Sequence, residues 1–364
     1  MWPGFPPGKL MLCWLWLLLA GCTGLGPHAI YVERNAYNQA IQNSNDEQLL
    51  LNLVRVKYRD TPFFLELNSV SAQYSLATGG SAQLTFPEAG HKNRALNLKG
   101  DYYQRPTISY TPLRGDQFIK RLLAPLTLEK ILLLTRSGWR IDQVLRVCAQ
   151  RINDLKNAPL ASGPTPEREP EFHDFMQLMR LLARQQTEDD LHISFANDKH
   201  TPRLVIDLDP NPASLAERRK TLALLSLPED ASHFELMNTS RGNNGTSRRG
   251  IDTRSLLGMM FYLSQGVEIP REHIARGLVT RTHSADGTTF DWARVTGDLF
   301  QIHSSADYPE DAAVAVNYRG YWFYIKDTDL DSKSTFAMLS QIFSLQAASK
   351  PQSLSPMLTL PLGQ

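Results

Sequence analysis

The hydrophobic period of this chain changes several times along its length, and that switching limits what it can become. Leu49, Leu50, Leu53, Val54 and Lys57 fall on one stripe at helical spacing, behind Ser44-Asn45-Asp46-Glu47, which reads as a capping box. Arg59-Asp60-Thr61-Pro62 closes that helix, because the residue before a proline resists the helical region. The pattern then alternates in twos. "FFLELNSVSAQYSLA" and "SAQLTF" read as strands around a turn at Thr78-Gly79-Gly80, and "PTISYTP" as another strand. From Gly115 to Leu155 the spacing is helical again, in two pieces: "GDQFIKRLLAPLTLEKILLLTRS", which carries a break at Pro125, and "WRIDQVLRVCAQRINDL" after Gly138.

Residues 158–170 are proline-rich and form the expected boundary. Beyond it come a helix at "EFHDFMQLMRLLARQQ", a strand pair at "LHISFA" and "RLVIDLD", and a helical piece at "SLAERRKTLALLSL". A strand at "HFELMN" precedes a polar loop from Thr239 to Gly250. "DTRSLLGMMFYLSQG" is a helix capped by Asp252, with Leu256, Met259, Met260 and Leu263 on one face; a buried face is the better reading of that stripe than a docking site. Strands at "LFQIHS", "AAVAVNYRGYWFYIKD" and "MLTLPL", and a helix at "SKSTFAMLSQIFSLQ", complete the chain. Helices and strands mix without regular strand–helix–strand alternation, so the expected class is α+β with mostly antiparallel strands. The expected division is residues 35–157 and 171–364.

The amino terminus poses a different question. Lys9 precedes an apolar core from Leu10 to Ala20, too short for the roughly 20 residues that span a bilayer. Leu19-Ala20-Gly21-Cys22 resembles the lipobox of bacterial lipoproteins, in which the cysteine sulfur takes a diacylglycerol and the signal is cut just before it. The reading is therefore a signal peptide at 1–21, lipid attachment at Cys22 and a tether at 22–34. Two or more acyl chains hold a protein on a membrane where one alone holds only marginally. Thr23 stands where inner-membrane retention favours Asp, which points to the outer membrane, facing the periplasm.

Cleavage would leave 343 of the 364 residues, with 37 basic and 37 acidic side chains. A neutral chain gives no reason to expect nucleic acid as a partner, since that binding needs basic surface. Cys13 leaves with the signal and Cys22 takes lipid, so Cys148 stays as a lone thiol in an apolar run, read as a buried hydrophobe.

Longer stretches carry a wider likeness. "NDEQLLLNLVRVKYRDTPFFLELNSVSAQYS", "RPTISYTPLRGDQF", "SGWRIDQVLRVCAQRIN", "SLLGMMFYLSQGVEIP" and "YRGYWFYIKDTDLDSKSTFAMLSQIFSLQ" resemble a family of uncharacterised proteobacterial lipoproteins across most of the mature chain. The resemblance implies a bacterial envelope location and brings no activity or site residues with it.

Candidate sites are few. Asp327, Asp329 and Asp331 alternate as in a calcium loop, but an EF-hand also needs Gly and Glu where Ser332 and Met338 stand; a turn capped by Asp331 or Ser332 is the better reading. Tyr318, Tyr321, Trp322, Phe323 and Tyr324 make a dense aromatic strand, a sheet centre more than a stacking platform. Arg241, Arg248, Arg249 and Arg254 form a modest basic cluster, read as a solvated loop before a phosphate-headgroup site. The nine histidines show no close ligand spacing, and no nucleophile elbow, P-loop or GxGxxG occurs. No cofactor or metal is expected and no catalytic residue is assigned. The expected role is a non-enzymatic binding or scaffold subunit with an envelope protein partner. An envelope hydrolase acting on peptidoglycan, glycan or lipid, or a small-ligand or lipid carrier, are the alternatives.

Overall fold

The computed structural model describes residues 25–85, 93–113, 115–198, 201–209, 212–238 and 247–347. The signal segment, Cys22 and the strand expected at "MLTLPL" lie outside these. The described chain forms two compact units. One joins the residues up to Pro62 with those from Arg121 onward, and the other is Phe63–Lys120.

The larger unit is α+β, as the mixed periodicity predicts. Its first helix, α1 (Leu25–Lys57), continues well upstream of Ser44. The expected capping box is therefore interior, and residues 25–34 of the expected tether are helical. No proline or glycine interrupts residues 28–57, so nothing in the backbone forces a start at Ser44. Leu49, Leu50, Leu53, Val54 and Val56 are buried where α1 packs on the rest of the unit.

Three helices follow in the second helical stretch: α2 (Asp116–Leu123), shared between the units, then α3 (Leu128–Arg136) and α4 (Ile141–Cys148). The helical pattern expected to run to Leu155 stops at Cys148. Ala149–Ile152 (β3) and Leu155–Lys156 (β4) are strands. After a short 3-10 turn come α5 (His173–Thr187), β5 (Leu191–Asp198), β6 (Thr201–Leu208), α6 (Leu215–Leu224), β7 (His233–Met237) and β8 (Arg248–Thr253). The six strands run in the order β4-β3-β8-β7-β6-β5, with only β7 and β8 parallel. This sheet takes strands from both sides of residues 158–170. The expected division there is replaced by one at Phe63 and Lys120, because β3 and β8 pair across it.

Arg248 and Arg249 belong to β8, not to a loop. Ser255, not Asp252, caps α7 (Leu256–Leu263), its hydroxyl accepting from the Gly258 amide at 3.1 Å. All four residues of the expected stripe on α7 are buried, and α7 packs against α1, α4 and the last helix.

Two short helices, α8 (Arg271–Ala275) and α9 (Ala293–Thr296), lead to a second sheet of β9 (His303–Ser305), β10 (Ala312–Tyr318) and β11 (Tyr321–Lys326), in the order β10-β11-β9 and antiparallel. Arg319 and Gly320, both at positive φ (53° and 87°), form the two-residue turn between β10 and β11, and Gly320 takes that conformation without strain. The last helix, α10 (Leu330–Ala347), starts at Asp329, whose carboxylate accepts from the Ser332 amide at 3.0 Å. The cap is thus Asp329 and not Asp331 or Ser332.

The smaller unit is built on a long antiparallel pair, β1 (Leu65–Thr85) and β2 (Asn93–Pro112). The turn expected at Thr78-Gly79-Gly80 is absent. β1 runs straight through, with Gly79 opposite Lys99 and Gly80 opposite Leu98. The alternation on either side of the glycines keeps one phase, and that favours a continuous strand over a hairpin tip.

Candidate functional site

At the end of α1 the chain places a lysine on the buried side of the helix. Lys57 is four residues after Leu53 and three after Val54, so helical geometry puts it on their stripe. It is 6% exposed, and its ammonium donates to Gln265 Oε1 at 2.9 Å. Gln265 is fixed in turn, because its amide nitrogen donates to the Phe261 carbonyl at 3.0 Å. Among the described residues no carboxylate pairs with Lys57. Burial alone lowers its pKa from the ordinary 10.5 to about 7.

Lys57 and Gln265 line a cavity of about 450 Å³. Its lining includes the apolar Val267, Ile269, Ile274 and Trp292 and the charged or titratable Glu268, Arg281, Asp291 and His303. Gly266 closes one side. A Cβ there would meet the Phe300 carbonyl oxygen at 2.3 Å, so only glycine fits. The strand-like segment at Val267 bridges to Ile302, with the Glu268 amide donating to the Ile302 carbonyl at 2.8 Å. On the far wall the Trp292 indole donates to Thr282 Oγ1 at 3.0 Å, and that hydroxyl donates to the Pro166 carbonyl at 2.6 Å. At the rim His303 Nδ1 lies 3.4 Å from Glu268. A cavity with apolar walls, one buried amine and a few rim charges is built like a small-molecule site. Half-charged near neutral pH, the amine can pair with an anionic group or present a lone pair.

Next to Lys57 the aromatic strand finds its role. Tyr58 is buried, and its ring meets those of His273, Tyr318 and Phe323 edge-on at 5.6, 5.5 and 6.1 Å. Its hydroxyl lies 2.6 Å from His273 Nδ1. Burial lowers the pKa of His273, which keeps the ring neutral and lets Nδ1 accept the phenol proton. Burial also raises the pKa of Tyr58, so the phenol keeps its proton. Asp60 accepts from the Tyr318 hydroxyl and from Arg319 at 2.8 Å. Burial works against its carboxylate, but these two hydrogen bonds and the positive charges of Arg319 and Arg55 together outweigh it and hold the pKa low. The cluster clamps the residues just after α1 to the β10–β11 hairpin.

The remaining sequence candidates take structural roles. Arg254 is fully buried. It donates to the carbonyls of Arg146, Val147, Ala149 and Asn157, and lies 3.9 Å from the centre of the Tyr262 ring. Arg249 is buried and donates to the Leu225 and Ser226 carbonyls, while Arg248 pairs with Glu235. The expected solvated basic cluster is therefore dispersed: two of its members tie loops into the core, and Arg241 lies outside the described residues. Asp327 pairs with Lys333 and Asp329 caps α10, so the alternating aspartates do not converge. Cys148 is buried, and desolvation pushes its thiol up to about 12, which makes it inert as a nucleophile. Among the described residues no cluster of His, Cys, Asp and Glu has metal-binding geometry. No helix among them is long and apolar enough to cross a membrane.

Comparison with known proteins adds no relative: no protein family, no curated protein and no solved structure matches the chain.

Proposed function

We propose that this chain is an envelope lipoprotein, anchored through a lipidated Cys22 in the outer membrane and facing the periplasm, whose folded body is a binding or scaffold subunit. The anchor rests on the sequence alone, on the short apolar core ending in Leu19-Ala20-Gly21-Cys22. The binding role is supported by the Lys57 cavity. It holds a buried amine fixed by one neutral amide in an open cavity of mixed apolar and polar lining, and this arrangement suits holding a small ligand that carries an anionic group. An envelope protein partner belongs to the same proposal.

The hydrolase alternative has one observation in its favour. A groove of about 840 Å³ gathers Asp154, Glu167, Asp174, His173 and His283. Its other carboxylates are held in ion pairs, Glu169 with Arg294 and Glu171 with Lys156.

The test is cross-linking in intact cells, then purification through a C-terminal tag and mass spectrometry. A stoichiometric envelope partner supports the scaffold role. No partner, together with glycan or lipid cleavage that is lost in His173→Ala, moves the function to the hydrolase.

A further inference from the structure

The pair β1–β2 carries a face pattern that the proposed function does not use. The register sets Ala72 opposite Pro106, Tyr74 opposite Gln104, Leu76 opposite Tyr102, Thr78 opposite Gly100, Gly80 opposite Leu98 and Ala82 opposite Leu96. Directly opposed residues share a face, and that face alternates with the next along each strand. This first face is apolar or small nearly throughout. The other face holds Gln73 and Arg105, Ser75 and Tyr103, Ala77 and Asp101, Gly79 and Lys99, Ser81 and Asn97, Gln83 and Ala95. It is polar nearly throughout and carries charge in its middle. The phase holds on both strands through two glycines.

A pair of strands of this length, apolar on one side and hydrophilic on the other, is the repeat from which a transmembrane β-barrel is made. Its apolar side fits hydrocarbon and its polar side a water-filled lumen. The dimensions agree. Pro106 has no N–H to give a neighbouring strand, so it bounds the stretch of β2 able to pair on both sides. Between Asn93 and Gln104 lie 12 residues, about 36 Å of strand at ~3.3 Å per residue. At the tilt of about 40° usual in such barrels, that gives a height of about 28 Å, matching the bilayer core. Tyr74 and Tyr102 stand toward one end of this band and Arg94 at the other, at the levels where aromatic and long basic side chains meet headgroups. Among the described residues the sheet has two strands only, so both of its edges are unpaired. A lone pair is marginal in water, and open edges are excluded from lipid. Identical copies side by side remove both problems at once.

We infer that the paired strand segments 71–85 and 93–105 are one repeat of an oligomeric β-barrel, in which copies of this chain pair edge to edge, the Leu76–Leu98 face meets lipid and the Ser81–Asn97 face lines a pore.

The mature chain, purified from membranes and checked by intact mass at Cys22, would be added to dye-loaded vesicles of phosphatidylethanolamine and phosphatidylglycerol. Single cysteines at 73 to 85 would carry an environment-sensitive fluorophore; buried Cys148 escapes the label. The expected result is a blue shift on vesicle addition at even positions only, with dye release. Leu98→Asp abolishes release, while Asn97→Asp keeps it and favours cations. No alternation on vesicles overturns the inference. So does the same alternation without vesicles, which would put the apolar face against protein. The state of Cys22 is read separately, so failure of the anchor and failure of the barrel are distinguishable.

Discussion

Two buried cations carry the residue-scale account, and they behave differently. Lys57 has one neutral partner and a pKa near 7, far below the ordinary 10.5. Between those values the unfolded chain holds a proton that the folded chain lacks, so stability rises with pH across the window. Below pH 7 the full cost of burying the charge is present. Replacing Lys57 with Met removes that cost. Chemical denaturation of wild type and Lys57→Met at pH 6 and pH 9 should show the variant's advantage shrinking by about 2–3 kcal/mol at the higher pH. An equal difference at both values would mean that Lys57 stays charged in the fold. Arg254 is the opposite case. Its guanidinium answers four backbone carbonyls from the end of α4, from β3 and from Asn157. Arg254→Met strands those acceptors and should cost about 3–5 kcal/mol, whereas Arg276→Met on the surface should stay within about 0.5 kcal/mol. Denaturant titration of both variants checks the contrast.

At the scale of elements, the β10–β11 turn and the long β1–β2 pair use glycine in opposite ways. Gly320 sits at φ +87°, so Gly320→Val should lower stability by about 1 kcal/mol or more. Gly79 and Gly80 sit inside a strand, so Gly80→Thr should be tolerated and Gly79-Gly80 should not act as a turn. Thermal unfolding of the two variants, with circular dichroism, reads this directly. The same contrast explains what the sequence makes legible. The strand pair β5–β6 and the helix α5 follow from strong local periodicity, whereas α6 and α10 are only weakly amphipathic and α7 is apolar on nearly every side. The Thr78-Gly79-Gly80 turn failed because a Gly-Gly pair permits a turn without demanding one, and the phase across it was the better guide. The start at Ser44 failed because a cap motif inside a helix-competent run has nothing to stop. At the cavity, Lys57 was visible as a lysine on an apolar stripe and Tyr318 to Tyr324 as an aromatic strand. Gln265, Gly266 and Trp292 give no local signal, since contacts distant in sequence assemble the cavity: Val267 bridges to Ile302, and Trp292 is held through Thr282 to the Pro166 carbonyl.

At the scale of the whole molecule the proposed anchor is joined to this architecture through the chain itself. Cys22 precedes α1, whose last turn delivers Lys57 to the cavity and Tyr58 to the aromatic clamp, so one element follows the proposed membrane tie and ends at the proposed ligand site. No described helix of the α+β body is long and apolar enough to cross a membrane. If the cavity takes small anionic ligands, then Lys57→Gln should weaken their binding at pH 6 and matter little at pH 9, where the amine is already neutral. Calorimetric titration against a panel of small carboxylates and phosphates at both pH values measures this. The measurement that bears most directly on the central claim is mass spectrometry of the amino-terminal peptide from fractionated membranes, for wild type and Cys22→Ala. The account predicts a peptide beginning at Cys22 with the mass of its acyl chains in the outer-membrane fraction, and an uncleaved or soluble Cys22→Ala chain. An unmodified terminus cut elsewhere, or a Cys22→Ala protein that still fractionates as the mature membrane form, would contradict it.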